Sequence, residues 1–516
     1  MAQDTPPETL TTTPSRPVGR LDRFFDISTR GSSIPREVRG GLVTFFTMAY
    51  IIALNPLIIG TAADKNGNLI NGQPMFLDAA GTQLNDAAMS ESKLMVAAAT
   101  ALVAGLLTIL MGVVGRFPLA LAAGLGLNAM LAFTLAPMMT WPQAMGLIVW
   151  EGILITLLVL TGLREAIFRA VPSSLRSAIS IGIGLFITLV GLVSAGVVRP
   201  GGGTPLELGV GGHLVGWPIA VAVFGFFLLI VLIAKKVPGA MLIAMLVTAA
   251  VAVVLELVFK IGPRVSPETA TGWSPPGPVL PDASAWVTPD LGLLGRVDLF
   301  GAFNGPDGNF NLGYLLGLVL IVFSLLLADF FDTMGTVVAV GAEGDLLDEH
   351  GNPPRLREIL LVDSLAAVGG GLGSVSSNTS FVESTSGVAE GARTGLASVV
   401  TGAAFLVAIF LAPVVALVPA EAAAPVLAYV GFLMMGQATK IRWDDIEEGI
   451  PAFLVVVLMP FAYSITVGIG AGFIVHVLVK ALKGKAKQVH PLMWGVAAAF
   501  VVYFAQGILM DLVARL

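Results

Sequence analysis

Apolar runs long enough to cross about 30 Å of hydrocarbon recur along the whole chain. They fall near 39–60, 94–114, 117–139, 142–163, 175–197, 214–234, 237–260, 311–341, 356–373, 375–391, 394–417, 423–438, 449–464, 465–482 and 491–513. This predicts an all-α polytopic membrane protein with about fourteen transmembrane segments. One further apolar segment follows at the C-terminal end. Most intervening polar stretches are short. Two are long, an Asn/Asp-rich loop at 61–92 and a Pro/Gly/Ser-rich loop at 261–310.

Two of the spans are interrupted in the same way. Gly115-Arg-Phe-Pro-Leu-Ala-Leu-Ala-Ala-Gly-Leu-Gly-Leu-Asn128 breaks the third, and Gly369-Gly-Gly-Leu-Gly-Ser-Val-Ser-Ser-Asn-Thr-Ser-Phe-Val-Glu383 breaks the tenth. Each is the third of its half if the chain divides seven plus seven near residue 300, and an odd number of spans per half makes the two halves inverted repeats. Paired interrupted segments in corresponding positions are the best sequence pointer to a transporter's central site. Glycine also lets membrane helices pack closely, and the two readings compete at each stretch.

Composition supports a membrane protein and removes several kinds of chemistry. The 516 residues are 56% hydrophobic and only 12% charged, about half the charge that a soluble chain carries. There is no cysteine, so no disulfide or thiolate site is expected. His213, His350, His476 and His490 show no metal-ligand spacing. No metal or other cofactor is expected, and nothing points to a nucleic-acid partner. Residues 1–20 are rich in Thr and Pro without an apolar signal segment, and read as a disordered tail carrying Arg16 and Arg20, with Arg23 just beyond.

The placement of Lys and Arg sets an orientation. Arg30, Arg36 and Arg39, then Arg164, Arg169 and Arg176, Lys235 and Lys236, Arg355 and Arg357, Arg393, Lys440 and Arg442, and Lys480, Lys483, Lys485 and Lys487 all fall on one side if every segment crosses. That side is expected to be cytoplasmic, with the N-terminus. The chain is accordingly expected in the cell (inner) membrane, in contact with lipid.

Carboxylates inside membrane spans are costly and usually functional. Asp329 and Asp332 lie in the eighth span, three residues apart and so expected on one helix face. Glu383 follows the second break directly, Glu151 lies in the fourth span and Asp363 in the ninth. Asp332 and Glu383 are the leading pair. A break before Glu383 leaves backbone N–H groups free at the start of a half-helix. A carboxylate accepts hydrogen bonds from ring N–H and exocyclic amino groups. Ser384, Thr385 and Ser386 add hydroxyls, and Asn128 offers a donor and an acceptor from the opposite break. The set suits a flat, uncharged heterocycle and repels a simple anion. Desolvation favours the neutral form of a carboxylate, which makes Asp332, Glu383 or Asp329 a natural proton carrier. The competing reading is structural, with Asp332 and Glu383 capping broken helices; for Glu151 and Asp363 the structural role is favoured. Phe45, Phe46, Tyr50, Phe133 and Phe381 are stacking candidates, against ordinary packing or lipid contact.

These residues sit in stretches that resemble the nucleobase–cation symporter-2 family, in its adenine, guanine and hypoxanthine permease branch. The matching stretches are Phe24-Phe-Asp-Ile27, Arg36-Glu-Val-Arg-Gly-Gly41 through Asn55-Pro56, Gly124-Leu-Gly-Leu-Asn-Ala129, Asp329-Phe-Phe-Asp-Thr-Met-Gly-Thr336, Glu383-Ser-Thr-Ser-Gly-Val388, Thr394-Gly-Leu-Ala-Ser-Val-Val-Thr-Gly402 and Ile450-Pro-Ala-Phe453 through Met459-Pro-Phe-Ala-Tyr-Ser464. The resemblance implies a core domain of spans 1–4 and 8–11 and a gate domain of spans 5–7 and 12–14, the latter often a dimerisation surface, so a homodimer is a candidate assembly. It also implies short extended strands before the half-helices of spans 3 and 10. By motif, the substrate residues of the family fall on Asp332, Glu383 and Asn128, and uptake is coupled to protons. Met130 stands where an aromatic residue is expected.

The expected organisation is a tail at 1–22, a first repeat at 23–300, a second repeat at 301–485 and an extra hydrophobic segment at 486–516. The expected function is proton-coupled uptake of a purine base by alternating access, with no enzymatic activity. An anion transporter, or a uracil or xanthine carrier of the same architecture, is the alternative.

Overall fold

The computed structural model describes residues 19–162, 170–201, 204–265, 269–281, 286, 288–305, 312–349 and 352–515, with side chains as far as 505. The expected tail therefore lies outside the described residues up to 18, as do Arg16, Arg164, Arg169 and His350. The described residues open with a short helix α1 (Arg20–Phe25).

The first half continues with α2 (Ile34–Met48), α3 (Ile51–Ile59), α4 (Asp86–Leu110), strand β1 (Leu121–Ala123), α5 (Leu125–Met130), α6 (Trp141–Thr161), α7 (Ser173–Ser194), a small hairpin of β2 (Val198–Arg199) and β3 (Glu207–Leu208), α8 (Trp217–Ala234) and α9 (Ala240–Phe259). The second half contains α10 (Leu312–Glu343), α11 (Leu356–Leu372), β4 (Asn378–Ser380), α12 (Ser384–Ala389), α13 (Gly395–Ala408), α14 (Ala420–Met435), α15 (Ile446–Phe461) and α16 (Ile465–Leu482), followed by α17 (Pro491–Arg515).

Ten helical stretches among the described residues are long and apolar enough to cross a membrane. The four remaining spans are exceptions with visible causes. Spans 3 and 10 are broken into strand and half-helix. Spans 9 and 13 are single helices of 17 and 16 residues, about 25 Å of rise each.

The packing carries the internal symmetry. Pairing the halves in order makes α10 the counterpart of α2–α3, α11 of α4, α13 of α6, and α14, α15 and α16 of α7, α8 and α9. Under that exchange the contact of α6 with α11 becomes that of α13 with α4, and α2 with α13 becomes α10 with α6. Likewise α8 with α9 becomes α15 with α16, and α7 with α15 becomes α14 with α8. The first two pairs lie in the core domain and the last two in the gate domain. The fold is thus two inverted seven-span repeats with a core and a gate.

Glycines permit the close core contacts. A Cβ on Gly402 of α13 would lie 2.5 Å from the Gly105 carbonyl oxygen of α4, and one on Gly40 of α2 would lie 2.6 Å from that of Gly387 in α12. Only a residue without a side chain fits such crossings. The extra segment α17 packs on α16 of the gate and α10 of the core.

Candidate functional site

The site is built where the two broken spans cross. After α4 the chain winds through a π-helical turn, Met111–Gly115, and reverses at Arg116, whose φ is 48°. Residues 117 and 118 bend, with Leu119 N–H bonded back to the Phe117 carbonyl (2.8 Å), and the chain then runs into the strand β1. In hydrocarbon, a non-helical backbone needs partners for its N–H and C=O groups, and this one finds them in hydroxyl side chains. Ser398 Oγ accepts from Leu119 N (2.8 Å) and lies 2.8 Å from the Phe117 carbonyl oxygen. Ser384 Oγ accepts from Ala120 N (3.0 Å), and Thr108 Oγ1 accepts from Leu121 N (2.9 Å). The strands β1 and β4 then pair antiparallel, Leu121 opposite Ser380 and Ala123 opposite Asn378. Each strand leads into a half-helix, α5 or α12.

The glycine runs do less turning than the sequence implied. In the second break the left-handed residues are Ser374 (φ 54°) and Ser376 (φ 76°). Gly370 and Gly371 instead lie in the last turns of α11, where a Cβ would meet Asn378 N at 3.0 Å and Val149 N at 2.9 Å. Both readings of the glycines hold: they sit at a true break, and they act through close packing.

Glu383 is the N-cap residue of α12, yet its carboxylate does not cap that helix. Oε1 instead accepts the hydroxyl of Tyr50, from the junction of α2 and α3. Glu383 is half-buried and Asp332, on α10, is exposed. The two carboxylates lie within electrostatic range of each other, and Tyr50 within range of both. The structure therefore brings together the predicted pair and adds Tyr50, foreseen only as a stacking candidate. No pattern in one sequence reports that a phenol and a carboxylate 333 residues apart will meet.

Asp329 and Asp332 part company. Asp329 is fully buried beside Thr379, whose hydroxyl faces its carboxylate, whereas Asp332 is open. Three residues are 300° of helix rotation, which leaves about 60° between the two directions, enough to put one in the core and the other on its border. Behind β4, Asp363 of α11 accepts from Thr333 Oγ1 (2.8 Å) and Ser380 Oγ (2.8 Å), and Thr333 Oγ1 lies 2.9 Å from Thr379 Oγ1. Asp363 thus ties α10, α11 and the strand together. Glu151 of α6 is fully buried near Ser377; it lies in electrostatic range of Asp363.

Asn128 sits on α5, completely buried, and neither of its amide atoms has a hydrogen-bond partner among the described residues. A buried amide so left is costly unless a ligand or water completes it. Ser384 supports Ala120, as described, and Thr385 Oγ1 donates to the Val382 carbonyl (2.7 Å). Ser386 Oγ has no assigned role. Among the other stacking candidates, Phe45 packs on Phe405 with 5.1 Å between centroids, Phe46 is exposed and Phe381 is buried. Phe133, beyond α5, meets Tyr463 at 5.7 Å, and Tyr463 meets Phe186 of α7 at 5.1 Å. These three rings bridge core and gate, a few residues from where the 61–92 loop touches span 3. Lys65 N, within that loop, lies 3.3 Å from the Met139 carbonyl oxygen.

Several buried carboxylates went unremarked in the sequence, Glu37, Glu421 and Glu447 among them. Glu37 accepts from the backbone N–H groups of Arg393 (2.8 Å), Thr394 (3.2 Å) and Ala397 (3.3 Å). It caps α13 from α2.

The model of a permease family matches residues 35–471. The guanine/hypoxanthine permease PbuG of Bacillus subtilis is 35% identical over 94% of this chain and 99% of its own length. The adenine permease AdeP of Escherichia coli is 34% identical over 95% and 97%. The chain belongs to the nucleobase–cation symporter-2 family. As a symporter-2 permease it is a transporter, not an enzyme. Its solved structural neighbours show the same fold at low identity. The transmembrane domain of the cyanobacterial bicarbonate transporter BicA has a TM-score of 0.53 at 14% identity, over 85% of this chain and 97% of that one. The murine Slc26a9 anion transporter in its inward-facing state has 0.54 at 10%, over 92% and 74%. These likenesses carry the architecture alone.

Proposed function

We propose that this permease takes purine bases, hypoxanthine and guanine or adenine, into the cell together with protons. The observation that carries the reading is the open Asp332 beside the half-buried Glu383 at the crossing of the broken spans. Two carboxylates offer acceptors to ring N–H and amino groups and repel an anion. The unpartnered Asn128 provides a donor and an acceptor from the other half-helix. Ser384 and Thr385 hold the shape of the second break, within reach of the same ligand. Relatives at about a third identity bear the names of guanine/hypoxanthine and adenine permeases, which favours a purine over uracil.

Transport proceeds by movement of the core, which holds every residue of the pair, against the gate. The protein sits in the inner membrane with its N-terminus and its Lys/Arg-rich loops in the cytoplasm. The aromatic contact of Phe133, Tyr463 and Phe186 then closes the outward route. Asp332, Glu383 or Asp329 carries the proton inward, driven by ~2.3 kcal/mol per charge per 100 mV. The gate surface is the candidate dimer interface.

The test is uptake of labelled hypoxanthine, guanine, adenine, xanthine and uracil in cells without base carriers of their own, with and without a protonophore. Saturable purine uptake that collapses with the protonophore is the expected result. Correctly inserted protein that moves no base would overturn the reading.

A further inference from the structure

The hydroxyl of Tyr50 is spent on Glu383 within a site that must also serve a ligand. Tyr50 is 1% exposed, caps α3 and lies at the point where span 1 changes from α2 to α3. Among the described residues, Tyr50 is the one donor to the Glu383 carboxylate, through Oε1. α2 and α12 touch at Gly40 and Gly387 and belong to the same core. The bond therefore travels with the core and is not made or broken by the gate.

We propose that Tyr50 is a substrate-binding residue whose hydroxyl hydrogen is released to the substrate when Glu383 is protonated. This rests on the function proposed above. A phenol has one hydrogen and can also accept. While Glu383 is an anion, the charge-assisted bond holds that hydrogen. When one proton from the outer water adds to a Glu383 oxygen, the carboxyl O–H donates to the Tyr50 oxygen, and the phenol hydrogen turns away. It is then free for an acceptor on the ring of the base, while Asp332 accepts from a ring N–H. No other bond changes, and the proton later leaves the same carboxyl group to the inner water. With Glu383 ionised, the ring acceptor finds no donor from Tyr50, and binding is weaker by roughly tenfold.

The charged groups around Glu383 leave this exchange to Tyr50. From α10 comes Asp332, with the buried Asp329 one turn earlier. From α2, Arg39 pairs with Glu390 at the far end of α12 (3.0 Å). From the segment before α13, Arg393 donates to the Val388 and Ala392 carbonyls. β4 contributes only Asn, Thr and Ser.

Tyr50→Phe keeps the ring and removes the hydroxyl. The KM for the transported purine is measured from acid to neutral external pH in cells with matched amounts of inserted protein. The wild-type KM is expected to fall as the pH drops. In the variant it should rise about tenfold at acid pH, little at neutral pH, and so lose most of its pH dependence. A second measurement needs no variant: a purine analogue with the ring acceptor replaced by C–H should bind the wild-type protein with nearly pH-independent affinity. A variant KM that keeps the wild-type pH profile, or rises equally at every pH, would overturn the proposal, as would an analogue that keeps the full pH dependence. Failure of the underlying function shows separately, as wild-type protein that transports no purine.

Discussion

At the residue scale, the two site carboxylates differ in what surrounds them, and their variants should differ accordingly. Asp332 is exposed on α10, so Asp332→Asn removes a charge without leaving a buried partner unsatisfied. Purine uptake should fall by roughly 10- to 100-fold, the worth of a hydrogen bond to a charged group, with the amount of protein in the membrane and its melting temperature unchanged. Glu383→Gln should lose uptake at least as far. The amide can still accept from Tyr50, but it cannot carry a proton. Counterflow, which exchanges base for base, separates the two roles. Glu383→Gln should lose accumulation against a gradient more completely than exchange. Wild-type accumulation in this variant would remove Glu383 from the site. Both residues were legible in the sequence because a carboxylate in an apolar run is costly unless used. The separation of Asp329 from Asp332 was not, since spacing gives relative direction around a helix but not which direction faces the neighbouring spans.

At the element scale, the non-helical stretch 117–123 is the unusual object, and side chains from distant spans make it tolerable. Ser398 serves both the N–H of Leu119 and the carbonyl of Phe117 and is 2% exposed. Ser398→Ala leaves both without this partner in a place water does not reach. The cost should be about 1–3 kcal/mol, seen as a lowered melting temperature of the purified protein in detergent. Thr385→Ala, whose hydroxyl serves a partly exposed carbonyl, should cost less. Equal stability of Ser398→Ala and wild type would show that the strand does not depend on this support. The existence of both breaks could be read from Gly, Ser and Asn clustered inside apolar runs. Their partners could not, because Thr108, Ser384 and Ser398 belong to spans 2, 10 and 11 and each looks alone like an ordinary helix hydroxyl. The same limit hid Glu37, which lies 357 residues from the Thr394 N–H it caps.

At the scale of the whole molecule, the sequence and the packing agree on two inverted halves, while orientation rests on Lys and Arg alone. The absence of cysteine makes that orientation directly measurable. Thr82 is exposed in the long loop before α4, and Lys487 is exposed after α16. In intact cells a membrane-impermeant thiol reagent should label Thr82→Cys, and should reach Lys487→Cys only after the membrane is opened. The reverse pattern would overturn the orientation drawn from Lys and Arg. The same method addresses α17, whose 25 residues are enough to cross about 30 Å of hydrocarbon. It leans on both α16 and α10, so it joins the gate to the helix bearing Asp332. If α17 crosses, a cysteine replacing Leu516 is labelled from outside along with Thr82→Cys; if it lies along the surface, that cysteine follows Lys487→Cys. A crossing α17 would have to slide against one of its two neighbours each time the core moves. Deleting 491–516 should then change the transport rate while leaving the substrate affinity, set at the crossing strands, as it was.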